Sequence, residues 1–161
     1  MSIVVFAALV VLAAATGALF RPGPWYETLR KPSWTPPKRV FPVMWMSLYA
    51  LIALAGWLVW RDAGWSLPMA LWGLQLVLNA AWSWLFFGLH RMHAALANIA
   101  LLIATLIAFI VTAPAISPAA AWLFVPYLGW VTLAATLNLR VLQLNPVEAR
   151  RYAFPEPLAL D

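Results

Sequence analysis

Three polar side chains recur along one long apolar stretch at a spacing that places them on one helical face. Gln75, Asn79 and Ser83 stand four residues apart, and side chains at that interval lie on one side of an α-helix. Trp82 and Phe86 accompany them at helical spacing. Apolar aromatic walls with a few amides are typical of small-molecule sites. Such amides also hydrogen-bond to a neighbouring membrane helix at a gain of roughly 0.6–2 kcal/mol, so both interpretations stay open.

A second stripe runs along the last apolar stretch of the chain. Its members recur at intervals of four and are Trp122, Pro126, Trp130, Ala134 and Asn138. Pro126 removes one helical hydrogen bond and predicts added space near Trp130. Trp130 lies near the middle of its stretch, where a tryptophan does not serve as an interfacial anchor. Trp45 and Tyr49, one turn apart on an earlier stretch, add two further aromatic candidates for an internal site.

The residue types that other chemistries need are absent or isolated. The chain has no cysteine, which excludes disulfides and thiolate metal sites. His90 and His93 lack a carboxylate or a third ligand nearby, which favours an interfacial pair, and we predict no metal site. The apolar stretches offer no carboxylate for acid–base catalysis, and the chain shows no Ser-His-Asp set or glycine-rich phosphate loop. No basic helix or basic soluble domain is present, so we expect no nucleic-acid partner.

Composition places the two stripes in a membrane. The 161 residues are 65% apolar and 9% charged, with a mean hydropathy of +0.87, whereas a water-soluble domain carries about 25% charged residues. Five stretches without Asp, Glu, Lys or Arg are long enough to cross about 30 Å of hydrocarbon. They are residues 3–20, 41–60, 67–89, 94–115 and 119–139. We predict an all-α integral membrane protein, a five-transmembrane-helix bundle within residues 1–145, followed by a short cytoplasmic tail, residues 146–161.

The basic residues predict how the bundle is oriented. With five spans, nine of the ten Lys and Arg residues fall on one side of the membrane, and only Arg61 falls on the other. The side richer in Lys and Arg faces the cytoplasm. We therefore expect the N-terminus outside and the C-terminus in the cytoplasm.

The first connection, from Arg21 to Val40, is predicted to form a structured cap over one mouth of the bundle. Five prolines interrupt it, and Trp25, Tyr26 and Trp34 stand among its charges. Proline prevents one regular helix, while aromatic rings need an apolar surface to cover. We refer to this connection as the cap.

Several motifs occur in a characteristic order. They are Trp25-Tyr26, KPSWTPP at 31–37, FPVMWMSLY at 41–49, Gln75 to Asn79 through Trp82 and Phe87, and PYLGW at 126–130 leading to Asn138. Together they closely resemble the tryptophan-rich sensory protein family, the bacterial TspO group whose mitochondrial relatives are the translocator proteins, or peripheral benzodiazepine receptors. The resemblance covers nearly the whole chain from Gly17 to Asn145, and the KPxWxPP segment followed by PxxWxxLY is specific.

This resemblance implies a five-helix bundle, commonly a homodimer, with a pocket near the cytoplasmic side beneath the cap. It implies binding of porphyrins, haem-like tetrapyrroles, sterol-like lipids and synthetic benzodiazepine-type or isoquinoline carboxamide ligands, with no cofactor required. By the motif positions, the implied ligand-binding residues are Tyr26, Trp34, Trp45, Tyr49, Asn79, Trp82, Phe86, Trp130 and Ala134. Translocator proteins known for cholesterol carry a tyrosine-containing stretch that is absent from residues 135–142 here, so we expect no high-affinity sterol binding in that form.

Three functions stay open on the sequence. We favour a receptor, sensor or carrier that binds protoporphyrin IX and related hydrophobic ligands in a bacterial cell membrane. The first alternative is an enzyme that degrades porphyrin in a light- and oxygen-dependent reaction, for which the resemblance offers Trp45 and Trp130 as catalytic candidates. The second alternative is a non-catalytic interaction or assembly subunit, whose small residues would pack against partner helices.

Overall fold

The computed structural model describes residues 1–152, and every regular element in that range is helical. The helices are α1 (Ile3–Leu19), α2 (Pro24–Thr28), α3 (Val40–Ala63), α4 (Leu67–Ser83), α5 (Met92–Thr112), α6 (Pro118–Leu144) and α7 (Pro146–Arg151). A π-helical turn, Trp84–Gly88, continues α4, and a 3₁₀ turn, Ala113–Ala115, follows α5.

Four of these helices are long and apolar enough to cross a membrane. With their continuing turns they are Val40–Ala63, Leu67–Gly88, Met92–Ala115 and Pro118–Leu144. The apolar helix α1 has 17 residues, about 25 Å at 1.5 Å per residue. The all-helical membrane character is confirmed, while the fifth span stays a prediction. Helix α6 continues through Pro126 and extends to Leu144, beyond the predicted end at residue 139.

Local sequence signals start and stop the long helices. The Ser66 and Ser117 hydroxyls accept hydrogen bonds from the first-turn amides of α4 and α6, each at 3.4 Å. These side chains satisfy amides that have no partner inside the helix. Gly64 ends α3 with a φ of 59°, a left-handed conformation that glycine adopts without strain. The tight α3–α4 turn follows from this pair of signals.

A close contact fixes the helices α1, α3 and α4 against one another. A Cβ at Gly56 of α3 would overlap the Trp72 indole of α4, so the absence of a side chain there lets the indole approach. Trp72 Nε1 donates a hydrogen bond of 2.8 Å to the Ile52 carbonyl. Phe6 of α1 meets the same indole edge-on, with ring centroids 5.1 Å apart. The main core of the bundle forms around this contact.

A second, smaller core lies beneath the cap. Its buried members are Leu29, Phe86, Met92, Ala95, Leu137, Val141 and Ala149. Ala149 belongs to α7 and is 3% exposed. The first part of the predicted tail is therefore a short helix packed on the bundle, and residues 153–161 of that tail lie outside the described residues.

Candidate functional site beneath the cap

Two polar contacts hold the cap in a defined shape. The Asn145 side chain at the end of α6 binds both backbone groups of Arg30: Oδ1 accepts from its amide and Nδ2 donates to its carbonyl, each at 2.9 Å. Lys38 Nζ lies 2.7 Å from Glu27 Oε1 and joins the two halves of the cap. The hydrogen bond from Lys38 lowers the pKa of Glu27. The prolines of the cap thus lie in a folded segment that is fastened to α6.

Trp25 anchors the start of the cap in an aromatic stack. Its ring lies parallel to the His90 imidazole, with centroids 4.0 Å apart, and its Nε1 donates to Glu148 Oε2 of α7 at 3.4 Å. Burial lowers the pKa of His90, while the nearby Glu148 carboxylate acts in the opposite direction. Among residues 1–152, no group of three His, Cys, Asp or Glu side chains is placed to hold a metal ion.

A small cavity of about 40 Å³ lies between the cap and the membrane helices. Its lining residues are Tyr26, Phe41, Trp82, Phe86, Phe87, Ala134, Leu137, Asn138 and Val141. The Tyr26 ring meets Phe86 and Phe87 edge-on at 6.2 and 5.4 Å. Trp82 stacks on Phe86 at 5.1 Å with an interplanar angle of 13°. Burial raises the pKa of Tyr26, so its phenol stays neutral at the cavity wall.

Two polar atoms of the cavity residues are buried without a hydrogen-bond partner in the part of the chain that the structure describes. They are Trp82 Nε1, a donor, and Asn138 Oδ1, an acceptor. The other end of the Asn138 amide donates to the Met92 carbonyl at 3.3 Å, which fixes the oxygen as the end left over. The residues around the cavity therefore provide aromatic walls, and two of them carry a buried N–H and a buried C=O without a partner among the described residues.

A second polar group lies about one helical turn away along α4. The Tyr49 hydroxyl of α3 donates to Asn79 Oδ1 at 3.3 Å, and Asn79 Nδ2 donates to the Tyr127 hydroxyl of α6 at 2.8 Å. Trp45 stacks on Tyr49 with centroids 5.2 Å apart and meets Tyr127 edge-on at 6.2 Å. The Asn79 amide thus joins three membrane helices.

Comparison with known proteins identifies the family of the chain. The TspO/MBR family profile matches residues 4–144. The chain belongs to the TspO/MBR family. All nine lining residues of the cavity fall inside the matched stretch.

Three named relatives show the breadth of the similarity. The protein CrtK of Rhodobacter capsulatus is 39% identical over 155 residues, covering 92% of this chain and 97% of the relative. The tryptophan-rich sensory protein of Cereibacter sphaeroides is 42% identical over 136 residues, covering 82% and 84%. The human translocator protein is 38% identical over 126 residues, covering 75% of each chain.

The structure divides the implied ligand-binding residues of this TspO/MBR protein into groups. Four line the cavity: Tyr26, Trp82, Phe86 and Ala134. Tyr49 and Asn79 belong to the hydrogen-bonded group next to it, and Trp45 stacks on Tyr49. Trp130 is 8% exposed and packs edge-on against Phe41, a cavity residue, at 5.6 Å. Trp34 is 44% exposed on the cap and does not line the cavity.

Several cavity residues escaped the sequence-based assignment. Leu137 and Val141 follow Ala134 at spacings of three and seven and share its helical face, as does Asn138, which belongs to the second stripe but not to the implied ligand-binding residues. That periodicity was the signal that could have found them. By contrast Trp122, which begins the predicted stripe, is 72% exposed, because each step of four residues advances the position by about 40° around an α-helix.

A larger open groove of about 560 Å³ lies elsewhere, between α1 and α4. Its lining residues are all apolar, with Phe6, Trp60 and Trp65 among them. Such a surface suits contact with membrane lipid, and its lining includes no amide, hydroxyl or charged side chain to orient a ligand. We therefore place the candidate ligand site of this TspO/MBR protein beneath the cap.

Proposed function

We propose that this TspO/MBR protein is a membrane receptor, sensor or carrier that binds tetrapyrroles, such as protoporphyrin IX or haem, and related hydrophobic ligands. The observation that carries the proposal is the cavity beneath the cap, where aromatic rings from the cap, α3 and the α4 region meet. No charged side chain is among its described lining residues. Stacked and edge-on rings are suited to packing against a flat aromatic molecule.

Binding in this cavity requires the cap to move. Ligand pockets usually enclose about 300–1,000 Å³, and this cavity measures about 40 Å³. The wall contributed by the cap is Tyr26, whose edge-on contacts with Phe86 and Phe87 close the space. Outward displacement of α2 would expose the face of the stacked Trp82 and Phe86 rings. Ligand and Tyr26 therefore compete for the same aromatic surface.

A matched pair of substitutions on α6 tests the location. Ala134 lines the cavity, whereas Thr136 is exposed on the outer side of the same helix. We expect Ala134→Leu to weaken protoporphyrin binding by at least about tenfold, which corresponds to 1.4 kcal/mol, and Thr136→Leu to leave it unchanged. Protoporphyrin-dependent quenching of tryptophan emission in detergent measures both. Unsaturable quenching, or equal affinity in both variants, contradicts the proposal.

We propose binding without turnover. The two tryptophans implicated in porphyrin degradation contact other aromatic side chains, with Trp45 stacked on Tyr49 and Trp130 packed edge-on against Phe41. Two of the three relatives named above are called a sensory protein and a translocator protein. Illumination of the protein with excess protoporphyrin should bleach the pigment without a defined product. A single product formed over many turnovers, and lost in Trp45→Phe plus Trp130→Phe, would establish the enzyme instead.

We further propose five spans in a bacterial cell membrane, with the cap in the cytoplasm, and a homodimeric assembly. The charge asymmetry across the connections supports the orientation. Because the chain has no cysteine, single cysteines introduced at the exposed positions Ser33 and Ala63 report their side directly. We expect an impermeant thiol reagent added to intact cells to label Ala63→Cys and not Ser33→Cys. The opposite pattern would reverse the orientation.

A further inference from the structure

Two residues that line the cavity beneath the cap, Trp82 and Asn138, each carry a polar atom that the proposed function does not explain. Trp82 Nε1 and Asn138 Oδ1 are both buried, and neither has a partner within the described residues. Buried polar groups in proteins are almost always hydrogen-bonded, so each exception calls for a physical reason. Elsewhere in this bundle a buried indole does find its acceptor, as Trp72 does at the Ile52 carbonyl.

The chemistry of the two atoms limits what can complete them. Trp82 Nε1 needs an acceptor, and Asn138 Oδ1 needs a donor. A carboxylate offers only acceptors and would leave Asn138 unpaired, and burying its charge among these apolar residues would be unfavourable. An ammonium group offers only donors and would leave Trp82 unpaired. A neutral group that presents a carbonyl beside an N–H satisfies both atoms at once.

We infer that Trp82 and Asn138 form a hydrogen-bonding subsite for the edge of a neutral cyclic secondary amide, a lactam, carried by a flat hydrophobic ligand. The lactam carbonyl accepts from Trp82 Nε1, and the lactam N–H donates to Asn138 Oδ1. The stack of Trp82 on Phe86 presents an aromatic face to the rest of the ligand. This inference rests on the proposed function because it uses the same cavity, and it names the ligand class that the polar atoms select.

Two probes that differ by one methyl group test the subsite. Carbostyril, the lactam of the quinoline series, carries the N–H and C=O on a flat bicyclic ring. In its N-methyl derivative a methyl group replaces the N–H hydrogen and removes the donor. We expect carbostyril to bind at least about tenfold more tightly, since one hydrogen bond in a dry site is worth about that factor. Isothermal titration calorimetry of the full chain in detergent measures both affinities directly, without reference to protoporphyrin.

Two variants assign the preference to its atoms. Asn138→Leu removes the acceptor, and we expect carbostyril and its N-methyl derivative to bind it equally. Trp82→Phe keeps an aromatic ring for the stack on Phe86 and removes the N–H, so both probes should weaken together while the preference for carbostyril remains. If one variant fails to fold, as judged by thermal unfolding, the other still tests its own half of the subsite.

The outcomes separate this inference from the proposed function. Equal affinity of the two probes for the unmodified protein, no measurable carbostyril binding, or a preference that persists in Asn138→Leu overturns the subsite. Protoporphyrin binding that remains sensitive to Ala134→Leu would leave the proposed function standing in each of those cases. Insensitivity of protoporphyrin to Ala134→Leu, together with a carbostyril preference that Asn138→Leu abolishes, would support the subsite and remove tetrapyrroles as its ligand.

Discussion

Asn79 and Asn138 are both amides buried in membrane helices, yet the bundle treats them differently. Both ends of the Asn79 amide are used, by the Tyr49 and Tyr127 hydroxyls. Only the nitrogen of Asn138 is used within the described residues, and its oxygen is left over. Amides inside hydrocarbon are stabilising only when they are paired. The comparison indicates that Asn79 holds the fold together, whereas the oxygen of Asn138 is free for the ligand subsite that we infer.

The largest expected effect comes from breaking the paired amide. Asn79→Leu leaves the buried Tyr127 hydroxyl and the half-buried Tyr49 hydroxyl without this partner, and an unsatisfied buried group costs about 1–3 kcal/mol. We expect the variant to lose about 2–4 kcal/mol of unfolding free energy, measured by thermal or denaturant unfolding in detergent. Asn98→Leu is the control, because Asn98 makes one half-buried bond to the Leu78 carbonyl. An equal loss in both variants would contradict the special role of Asn79.

Removing one hydroxyl at a time gives an intermediate effect and an order. Tyr127 is fully buried and accepts the 2.8 Å bond, whereas Tyr49 is half-buried and donates at 3.3 Å. We therefore expect Tyr127→Phe to cost about 1–2 kcal/mol and Tyr49→Phe about half as much. A double-mutant cycle with Asn79→Leu should show strong coupling, since all three side chains belong to one network. Additive losses would indicate that the hydroxyls act independently of the amide.

Asn138→Leu is expected to change the unfolding free energy far less than Asn79→Leu does. It breaks one 3.3 Å bond to the Met92 carbonyl but also removes the unpaired oxygen. Because these two consequences oppose each other, we expect the unfolding free energy of the unliganded protein to change by less than about 1 kcal/mol. The same unfolding measurement in detergent gives the value. A loss as large as that of Asn79→Leu would mean that Asn138 is a structural amide too.

The helices of this protein follow more directly from its sequence than the hydrogen-bond partners of its buried amides do. Charge-free stretches predicted the four long helices because burial in hydrocarbon imposes composition on every residue. The spacing of four residues between Gln75 and Asn79 predicted that they share one helical face, and both are buried. Their partners depend on how α3, α4 and α6 pack, which no local spacing specifies. Asn79 pairs with two tyrosines, whereas both polar atoms of Gln75 lack a partner among the described residues.

The contacts that attach the cap to the bundle could not be predicted from the sequence for a related reason. Its prolines and aromatics correctly indicated a compact segment, but its attachments come from residues far along the chain. Asn145, at the other end of the sequence, binds the backbone of Arg30, and Glu148 accepts from Trp25. Those residues lay in or beside the predicted tail, where proline and mixed charges gave no sign of packing. Contacts between residues so far apart in sequence form only when the folded bundle brings the cap next to the end of α6 and α7.

The smallest expected effect is a dependence of the stability of the cap on pH, which the hydrogen bonds of the buried amides do not share. Burial against Trp25 holds the pKa of His90 below its ordinary value near 6.5. The folded cap therefore favours the neutral imidazole, and the stability that this contact contributes is present above about pH 6.5 and is lost as the pH falls below it. The Glu148 carboxylate, which also faces Arg151 at 3.9 Å, limits the loss because it favours the imidazolium. In the part of the chain that the structure describes, Asn79 bonds to two tyrosine hydroxyls, and the ordinary pKa of tyrosine, near 10, lies well above these pH values.

We therefore expect acidification from pH 7.5 to about 5.5 to speed backbone hydrogen exchange in the cap, after correction for intrinsic rates, and to leave α3 and α6 near Asn79 unchanged. His90→Asn is the matched control, since His90 has a φ of 57° and asparagine tolerates that left-handed conformation. The variant should exchange at the same corrected rate at both pH values. Equal acceleration of hydrogen exchange in the cap of His90→Asn would assign the effect to another titrating group. Acceleration throughout the bundle would show that the cap and the helices around Asn79 unfold as one unit.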